Sequence, residues 1–196
     1  MKLSEEFYQG KNVVKIAKNL LGKALFTRKN GVTTGGIIVE TEAYSWKERG
    51  CHAYQGRQTQ RNAIMFEKGG HSYVYMCYGI HYLFNVVTNV QGTADAVLVR
   101  AIEPTDGLKE MQVRRGFPAS PYHLTSGPGK LSQALGIDRS MNGKFLLEND
   151  VWIEETGNKI ASKEIRADLR IGIDYAGDDA LLPWRFTIAG NRWVSR

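Results

Sequence analysis

The sequence has few of the features that would commit it to a metal, a nucleotide or a redox reaction. It contains only two cysteines, Cys51 and Cys77, and neither belongs to a CxxC pair. It also lacks an HExxH segment, a GxGxxG segment and a GxxxxGK(S/T) loop, which argues against a zinc site and against the common nucleotide-binding motifs. We therefore expect neither a metal nor a cofactor.

Long apolar runs are missing as well. No apolar stretch approaches the roughly 18 residues that a membrane-spanning helix needs. Residues 1–10 are polar and acidic, and they lack the basic start and apolar middle of a signal peptide. No repeat, low-complexity stretch or linker interrupts the chain, so we expect one domain over residues 1–196 and a location in the cytoplasm.

Positive charge exceeds negative charge. The chain has 26 Lys and Arg residues against 20 Asp and Glu, which gives a formal net charge of +6. A basic surface suits phosphate-bearing partners such as nucleic acid, although many basic proteins bind none. With 196 residues, of which 42% are hydrophobic, the chain is large enough to bury a core.

Hydrophobic periodicity predicts more strands than helices. Helical spacing marks residues 12–21, followed by Gly22, and residues 130–135, stopped by Gly136; a third helix is expected from Pro104 to about Gly116. Because strands and helices do not alternate regularly, we expect an α+β fold with a curved, mainly antiparallel sheet. The predicted strands are residues 35–44, 73–76, 81–88, 97–102, 151–154, 168–173 and 185–189.

The first predicted strand places two carboxylates and an aromatic ring on one face. Side chains alternate along a strand, so Glu40, Glu42 and Tyr44 point the same way. Either glutamate could act as a base, and an ordinary polar sheet face is the plain alternative. Arg100 interrupts the apolar segment AVLVRAI. A half-buried arginine normally pairs with a carboxylate or belongs to a polar site, so Arg100 could pair with Glu42 structurally or hold Glu42 and a water in place.

Three other segments carry side chains suited to nucleic acid. The loop GCHAYQGRQTQR holds His52, Arg57 and Arg61, and its arginines suit phosphate contacts unless they are merely solvated. In YVYMCYGIHY, Tyr78 falls in a predicted tight turn, where its ring could enter a base stack or pack across the hairpin. Lys130 ends SGPGK, which is typical of a phosphate-binding helix start but also of a plain turn.

Seven motifs in a fixed order connect these segments to a known family. They are IVETEAY, CHAYQGR with TQRN, MF, YVYMCYG, NVV, VLVRAIEP and SGPGKL, and a closing WVS follows them. With these motifs, the chain resembles the 3-methyladenine DNA glycosylases of the alkyladenine glycosylase family over residues 20–195.

The resemblance implies a role for each matching residue. Glu42 corresponds to the family's general base, and Arg100 to a residue that helps hold the catalytic water. Ile171 corresponds to a position whose backbone carbonyl touches the same water. Tyr78 corresponds to the residue that fills the gap left in the duplex.

The resemblance also implies a pocket for the damaged base. Tyr44, His52 and Tyr75 match residues that line this pocket and stack on the flipped base. Asn85 matches the pocket residue whose side chain crowds the exocyclic amino group of guanine. Arg57, Arg61 and Lys130 remain expected DNA contacts from their charge.

The implied function is that of a monofunctional glycosylase in base excision repair. Such an enzyme flips alkylated or deaminated purines from double-stranded DNA, hydrolyses the N-glycosidic bond with an activated water and leaves an abasic site. It would act as a monomer, associated with the nucleoid of a bacterium. The sequence leaves open which lesion is preferred among 3-methyladenine, 7-methylguanine, hypoxanthine and ethenoadenine.

The implied fold is a single mixed α/β domain whose protruding hairpin enters the minor groove, and the C-terminal domain of a formyltransferase shares this fold. That domain is associated with RNA, and a fold does not fix a function. A non-catalytic nucleic-acid-binding domain is therefore one alternative. A hydrolase of free nucleosides is a second alternative, although a free nucleoside leaves no gap for Tyr78 to fill.

Overall fold

The computed structural model describes residues 1–195, which form an eight-stranded sheet flanked by short helices. The strands are β1 (Ala24–Lys29), β2 (Val32–Tyr44), β3 (Ser72–Cys77), β4 (His81–Thr88), β5 (Asp95–Asp106), β6 (Val151–Glu154), β7 (Ile165–Asp168) and β8 (Arg185–Ile188). Their order is β3-β4-β5-β2-β1-β6, while β8 pairs with β2 and with β7. Each of these pairs is antiparallel, so the predicted α+β fold is confirmed.

β2 is the centre of the sheet and the strand on which the site is built. Its first half pairs with β1 and its second half with β8, while β5 runs along its other edge. Gly36 lies where β2 and β5 approach so closely that a Cβ would collide with the carbonyl oxygen of Glu103. Only a glycine fits there without moving one of the two strands.

Four α-helices cover the sheet: α1 (Glu5–Tyr8), α2 (Val13–Leu20), α3 (Leu108–Arg114) and α4 (Pro128–Leu135). The side chain of Asn12 caps α2 by accepting from the N–H of Lys15 at 2.9 Å, and Gly22 follows the helix with φ +82°. No helix within residues 1–195 has the length and apolar character needed to cross a bilayer. Short 3₁₀ helices lie at Tyr54–Gly56, Ala63–Phe66, Pro121–His123, Arg139–Met141, Ser162–Glu164 and Asp174–Leu181.

Two apolar clusters support opposite faces of β2. The larger cluster packs α2 and α4 against the sheet around Leu20, Ile38 and Leu131. The hydroxyl of Thr41 donates to the carbonyl of Ala17 in α2 at 2.9 Å, which places that helix on the face opposite Glu42. The smaller cluster packs the long segment between β2 and β3 against the sheet; its buried members are Cys51, Ala53, Met65, Tyr73, Val87, Ala94 and Ala96.

Three sequence predictions of element bounds were wrong. Pro104 does not open a helix; it lies in β5, beyond the part of β5 that pairs with β4, where a residue without an N–H is tolerated. The helix begins later, at Leu108. A strand was predicted over residues 168–173, but the strand in this region, β7, spans Ile165–Asp168. The chain beyond β7 turns at Gly172, whose φ is +77°. Helix α4 begins at Pro128, a residue that is favoured in a first helical turn.

Candidate active site

A cleft of about 700 Å³ opens beside the second half of β2. The β3–β4 hairpin, the first turn of α4 and the loop after β7 bound it. Nine of the residues singled out in the sequence line this cleft: Tyr44, His52, Arg61, Tyr75, Tyr78, Asn85, Arg100, Lys130 and Ile171. Glu42 is fully buried and Arg57 is exposed, and neither belongs to the cleft lining.

Glu42 lies directly behind the cleft wall, because each of its partners is a lining residue. Its Oε2 accepts the Tyr44 hydroxyl at 2.7 Å, and its Oε1 accepts the N–H of Ile171 at 2.9 Å. Nη1 of Arg100 lies 3.2 Å from the same Oε1. A carboxylate offers about four acceptor positions, so these two hydrogen bonds and the ion pair with Arg100 leave one position open.

Glu40 has the same burial but a different set of partners. Its Oε1 accepts from Nε of Arg100 at 2.9 Å, from Nη1 of Arg185 at 3.2 Å and from the hydroxyl of Ser195 at 2.8 Å. Its Oε2 accepts the N–H of Ser195 at 2.7 Å. Four protein donors therefore occupy all of the roughly four acceptor positions of this carboxylate, which anchors Ser195 and Arg100.

An irregularity in the β2–β5 ladder brings Arg100 to both carboxylates. The register shifts on either side of Glu40, so Glu40 faces Ala101 and Thr41 faces Val99. Arg100 thus has no direct partner on β2, as at a β-bulge, and its side chain crosses to Glu40 and Glu42. Burial acts to lower the pKa of the Arg100 guanidinium, and the two carboxylates raise it above its usual value, so the group stays charged.

Aromatic rings form one wall of the cleft. Nδ1 of His52 lies 2.8 Å from the hydroxyl of Tyr73, and its ring meets Tyr75 edge-on at 4.6 Å between centroids. His52 as a whole residue is exposed, yet desolvation of its ring and then the nearby Arg61 lower its pKa to about 4. The side chain is therefore neutral at pH 7. Burial, together with the smaller effect of the Glu42 charge, raises the pKa of the Tyr44 hydroxyl well above its usual range. The hydroxyl therefore keeps its proton and remains a hydrogen-bond donor.

The hairpin between β3 and β4 presents Tyr78 to solvent. Its side chain is 88% exposed, and its backbone has φ +51°, in the left-handed region that a bulky residue rarely adopts. Ile80, beside it, is 72% exposed. Gly79, which follows Tyr78, has φ +73°, so Tyr78 and Gly79 are the two central residues of the tight turn that holds the ring out at the hairpin tip.

The basic residues expected to contact DNA occupy different positions. The Arg61 guanidinium lies over the Tyr75 ring at 4.9 Å and faces the cleft. Lys130 lies in the first turn of α4, also in the cleft lining. Arg57 is exposed on the loop before Arg61. Asn85 is buried, and its amide donates to the carbonyl of Tyr73 at 3.1 Å, which fixes its side chain in the cleft wall.

Several residues at the site were not predicted from the sequence. Arg170 is buried, pairs with Glu48 and lies against the ring of Tyr44. Tyr175 lines the cleft and donates its hydroxyl to the carbonyl of Gly50 at 3.3 Å. Arg170 follows the same pattern as Arg100, an arginine next to apolar residues, and this signal was available. The Ile171 position contributes its N–H to Glu42, whereas the sequence had directed attention to its carbonyl.

Comparison with known proteins gives a consistent result. The family described as Methylpurine-DNA glycosylase (MPG) matches residues 6–192. A protein of Chlamydia felis is 46% identical over 95% of this chain and 95% of its own length. Proteins of Natranaerobius thermophilus and Methanoculleus marisnigri are 43% and 45% identical over the whole of this chain and 99% and 100% of their own lengths. All three are assigned as 3-methyladenine DNA glycosylases.

Proposed function

The chain belongs to the methylpurine-DNA glycosylase family, and we propose that it flips a damaged purine out of duplex DNA and hydrolyses its glycosidic bond with a water held by Glu42. Membership makes it an enzyme of the 3-methyladenine DNA glycosylase type, a hydrolase of N-glycosyl bonds that acts on DNA. The observation that carries the proposed mechanism is the difference between Glu40 and Glu42 in the donors that surround them.

The open acceptor position of Glu42 supports its role as the base. A water placed there would donate one proton to the carboxylate and direct its lone pair at the sugar carbon. As the bond to the base breaks, positive charge develops on the sugar, and the Glu42 carboxylate stabilises it. Arg100 pairs with Glu42 and orients it, and Glu40 in turn holds Arg100.

The aromatic wall is suited to a flipped base. A base cannot be attacked while it is stacked in a duplex, so the enzyme must offset the stacking and pairing that are lost on rotation. Tyr44, Tyr75 and the neutral ring of His52 would supply new stacking surfaces. Asn85, fixed by its bond to Tyr73, would stand against the exocyclic amino group of guanine and favour purines that lack it.

The exposed ring of Tyr78 is suited to the gap that the flipped nucleotide leaves. Inserted apolar or aromatic side chains are a common means of holding a distorted minor groove open. The basic residues Arg57, Arg61 and Lys130 would then contact backbone phosphates on either side. We propose that one copy of the chain acts on double-stranded DNA, in the cytoplasm of a bacterium and in contact with the nucleoid.

The proposal is tested by base release from duplexes that each carry one lesion. The four substrates contain 3-methyladenine, 7-methylguanine, hypoxanthine or ethenoadenine, and an undamaged duplex and free deoxyinosine serve as controls. We expect release of at least one damaged purine from DNA, no cleavage of the free nucleoside and an intact abasic strand. Borohydride should trap no protein–DNA adduct. Failure to release any of the four bases, or a trapped adduct, would overturn the proposed mechanism.

A further inference from the structure

Arg170 and Glu48 form a buried ion pair next to the cleft. Nη1 of Arg170 donates to Oε1 of Glu48 at 2.7 Å, and Nη2 donates to Oε2 at 2.9 Å. The remaining N–H groups of these nitrogens reach the carbonyls of Ala43 at 2.9 Å and Asp179 at 3.0 Å. The guanidinium therefore ties the end of β2, the loop after it and the segment around Asp179 to one point.

The same guanidinium lies between two aromatic rings. Its Cζ is 4.8 Å from the centroid of Tyr44 and 5.4 Å from the centroid of Trp184. Planar guanidinium groups stack on aromatic faces, and the bidentate pair with Glu48 fixes the plane of this one. The orientation of the Tyr44 ring, and with it the hydroxyl that donates to Glu42, therefore depends on Arg170.

A second donor to Glu42 depends on the same residue. Ile171 follows Arg170 in the chain, and its N–H donates to Oε1 of Glu42 at 2.9 Å. The backbone here is not held by a strand, since β7 ends at Asp168. The segment is held by side chains instead: Nε of Arg185 donates to the carbonyl of Leu169 at 3.0 Å, and the buried Arg170 side chain is the anchor next to the Ile171 N–H.

The pair is arranged at some cost to the fold. Nε of Arg170 is buried and has no hydrogen-bond partner among the described residues, although the guanidinium's other nitrogens are fully engaged. A buried donor without a partner is destabilising, and a buried ion pair contributes little net stability compared with apolar packing. An arrangement that is costly to the fold yet contacts two cleft residues is better explained by the site than by stability.

We propose that Arg170, oriented by Glu48, is a positioning residue that holds two of the three donors of Glu42: the Tyr44 hydroxyl and the Ile171 N–H. This inference rests on the proposed function, because it assumes that Glu42 performs the reaction. Arg170 itself contacts neither the base nor the water. Its loss would leave the buried Glu48 carboxylate without its partner, at a cost in stability, and would allow the Glu42 carboxylate and the Tyr44 ring to move.

The test compares Arg170→Gln, Arg170→Lys and Glu48→Gln in single-turnover excision and in binding to a lesion duplex. We expect Arg170→Gln to slow excision on the order of 10-fold or more, the effect of a weakened charge-assisted hydrogen bond, with a much smaller change in Kd. Arg170→Lys should excise little faster than Arg170→Gln, because an ammonium cannot pair bidentately with Glu48. Lys23→Gln is the control, since it breaks the pair of the buried Lys23 with the exposed Glu155 outside the cleft lining and should leave excision unchanged.

A double-mutant cycle with Tyr44→Phe separates positioning from a general structural role. If Arg170 acts through the Tyr44 hydroxyl, Arg170→Gln should slow excision by a clearly smaller factor in the Tyr44→Phe background than in the wild type. Equal factors of slowing in the two backgrounds, or a folded Arg170→Gln protein with wild-type excision, would overturn the proposal. If Arg170→Gln does not fold, Glu48→Gln, which keeps the side-chain volume, decides by the same criteria. A wild-type protein that excises no lesion would instead refute the proposed function.

Discussion

Glu40 and Glu42 point to the same side of β2 and are both fully buried, yet the protein surrounds them with different numbers of donors. Glu40 receives four hydrogen bonds from Arg100, Arg185 and Ser195. Glu42 is approached by three donors, all from residues that line the cleft. This difference is the basis of the proposal that Glu40 holds the structure and Glu42 holds the water.

Glu40→Gln should destabilise the protein more than Glu42→Gln does. The substitution leaves Arg100 and Arg185 beside an uncharged amide, and breaking a buried ion pair by removing one partner costs about 3–5 kcal/mol. Denaturant unfolding of both variants measures the difference. Equal free energies of unfolding for Glu40→Gln and the wild type would contradict the structural role of Glu40.

Tyr78→Ser should impair base flipping without affecting stability. The ring is 88% exposed, so its removal costs the folded state little. The inserted Tyr78 ring would offset part of the few kcal/mol that unstacking costs. Its loss should therefore slow excision from duplex DNA on the order of 10- to 100-fold. The same lesion in single-stranded DNA leaves no gap, and its excision should be insensitive to the change. Ile80→Ser is the matched control at the hairpin tip and should have a smaller effect on duplexes.

The stability of the protein should fall in acid partly because of His52. Burial and Arg61 lower the pKa of its imidazole to about 4 from its ordinary value of 6.5. Below pH 6.5 the unfolded chain takes up a proton that the folded protein does not, so unfolding is favoured progressively from about pH 6.5 to pH 4. Above pH 6.5 this contribution is absent.

Two variants check the origin of this pH dependence. His52→Gln should flatten the decline in the free energy of unfolding between pH 6.5 and pH 4. Arg61→Gln should raise the midpoint of the His52 imidazole in an NMR titration, because it removes the nearby positive charge. A His52 midpoint near 6.5 in the wild-type protein would show that the ring is not buried as described.

Binding to undamaged duplex DNA should depend on salt through the residues at the cleft. Each phosphate that a side chain neutralises contributes about 0.9 to the slope of log K against log salt concentration. Arg61→Gln and Lys130→Gln should each reduce this slope by about 1. Lys159→Gln, on the other side of the sheet near α2, is the matched control and should leave the slope unchanged. Unaltered slopes for the first two variants would remove these residues from the DNA interface.

The local elements of the site could be predicted because they depend on short-range patterns. Alternation along β2 placed Glu40, Glu42 and Tyr44 on one face, and the spacing of β3 and β4 placed Tyr78 in the turn. Pro104 and the chain beyond Asp168 were misjudged because the tertiary environment, rather than local propensity, decides their conformation. Pro104 is accommodated in β5, and the side chain of Arg170 draws the chain inward.

The choice between the two glutamates could not be made from the strand pattern, and only the family resemblance pointed to Glu42. It depends on donors that lie far along the chain, such as Ile171 and Ser195, and on a local register shift that directs Arg100 across the strand. The ion pair of Arg170 with Glu48 was missed for the same reason, since 122 positions separate the two residues. The apolar neighbours of Arg170 indicate that it needs a partner, but no local pattern identifies that partner as Glu48.

The most direct test of the role of Glu42 is single-turnover excision by Glu42→Gln beside Glu40→Gln, with lesion binding measured on both. Glu42→Gln keeps the side-chain volume but removes the charge and the proton acceptor, so excision should fall on the order of 100- to 10,000-fold while lesion binding is retained. Glu40→Gln should retain more excision, at a cost in stability. Near wild-type excision by Glu42→Gln, together with an inactive but folded Glu40→Gln, would show that the base has been assigned to the wrong carboxylate.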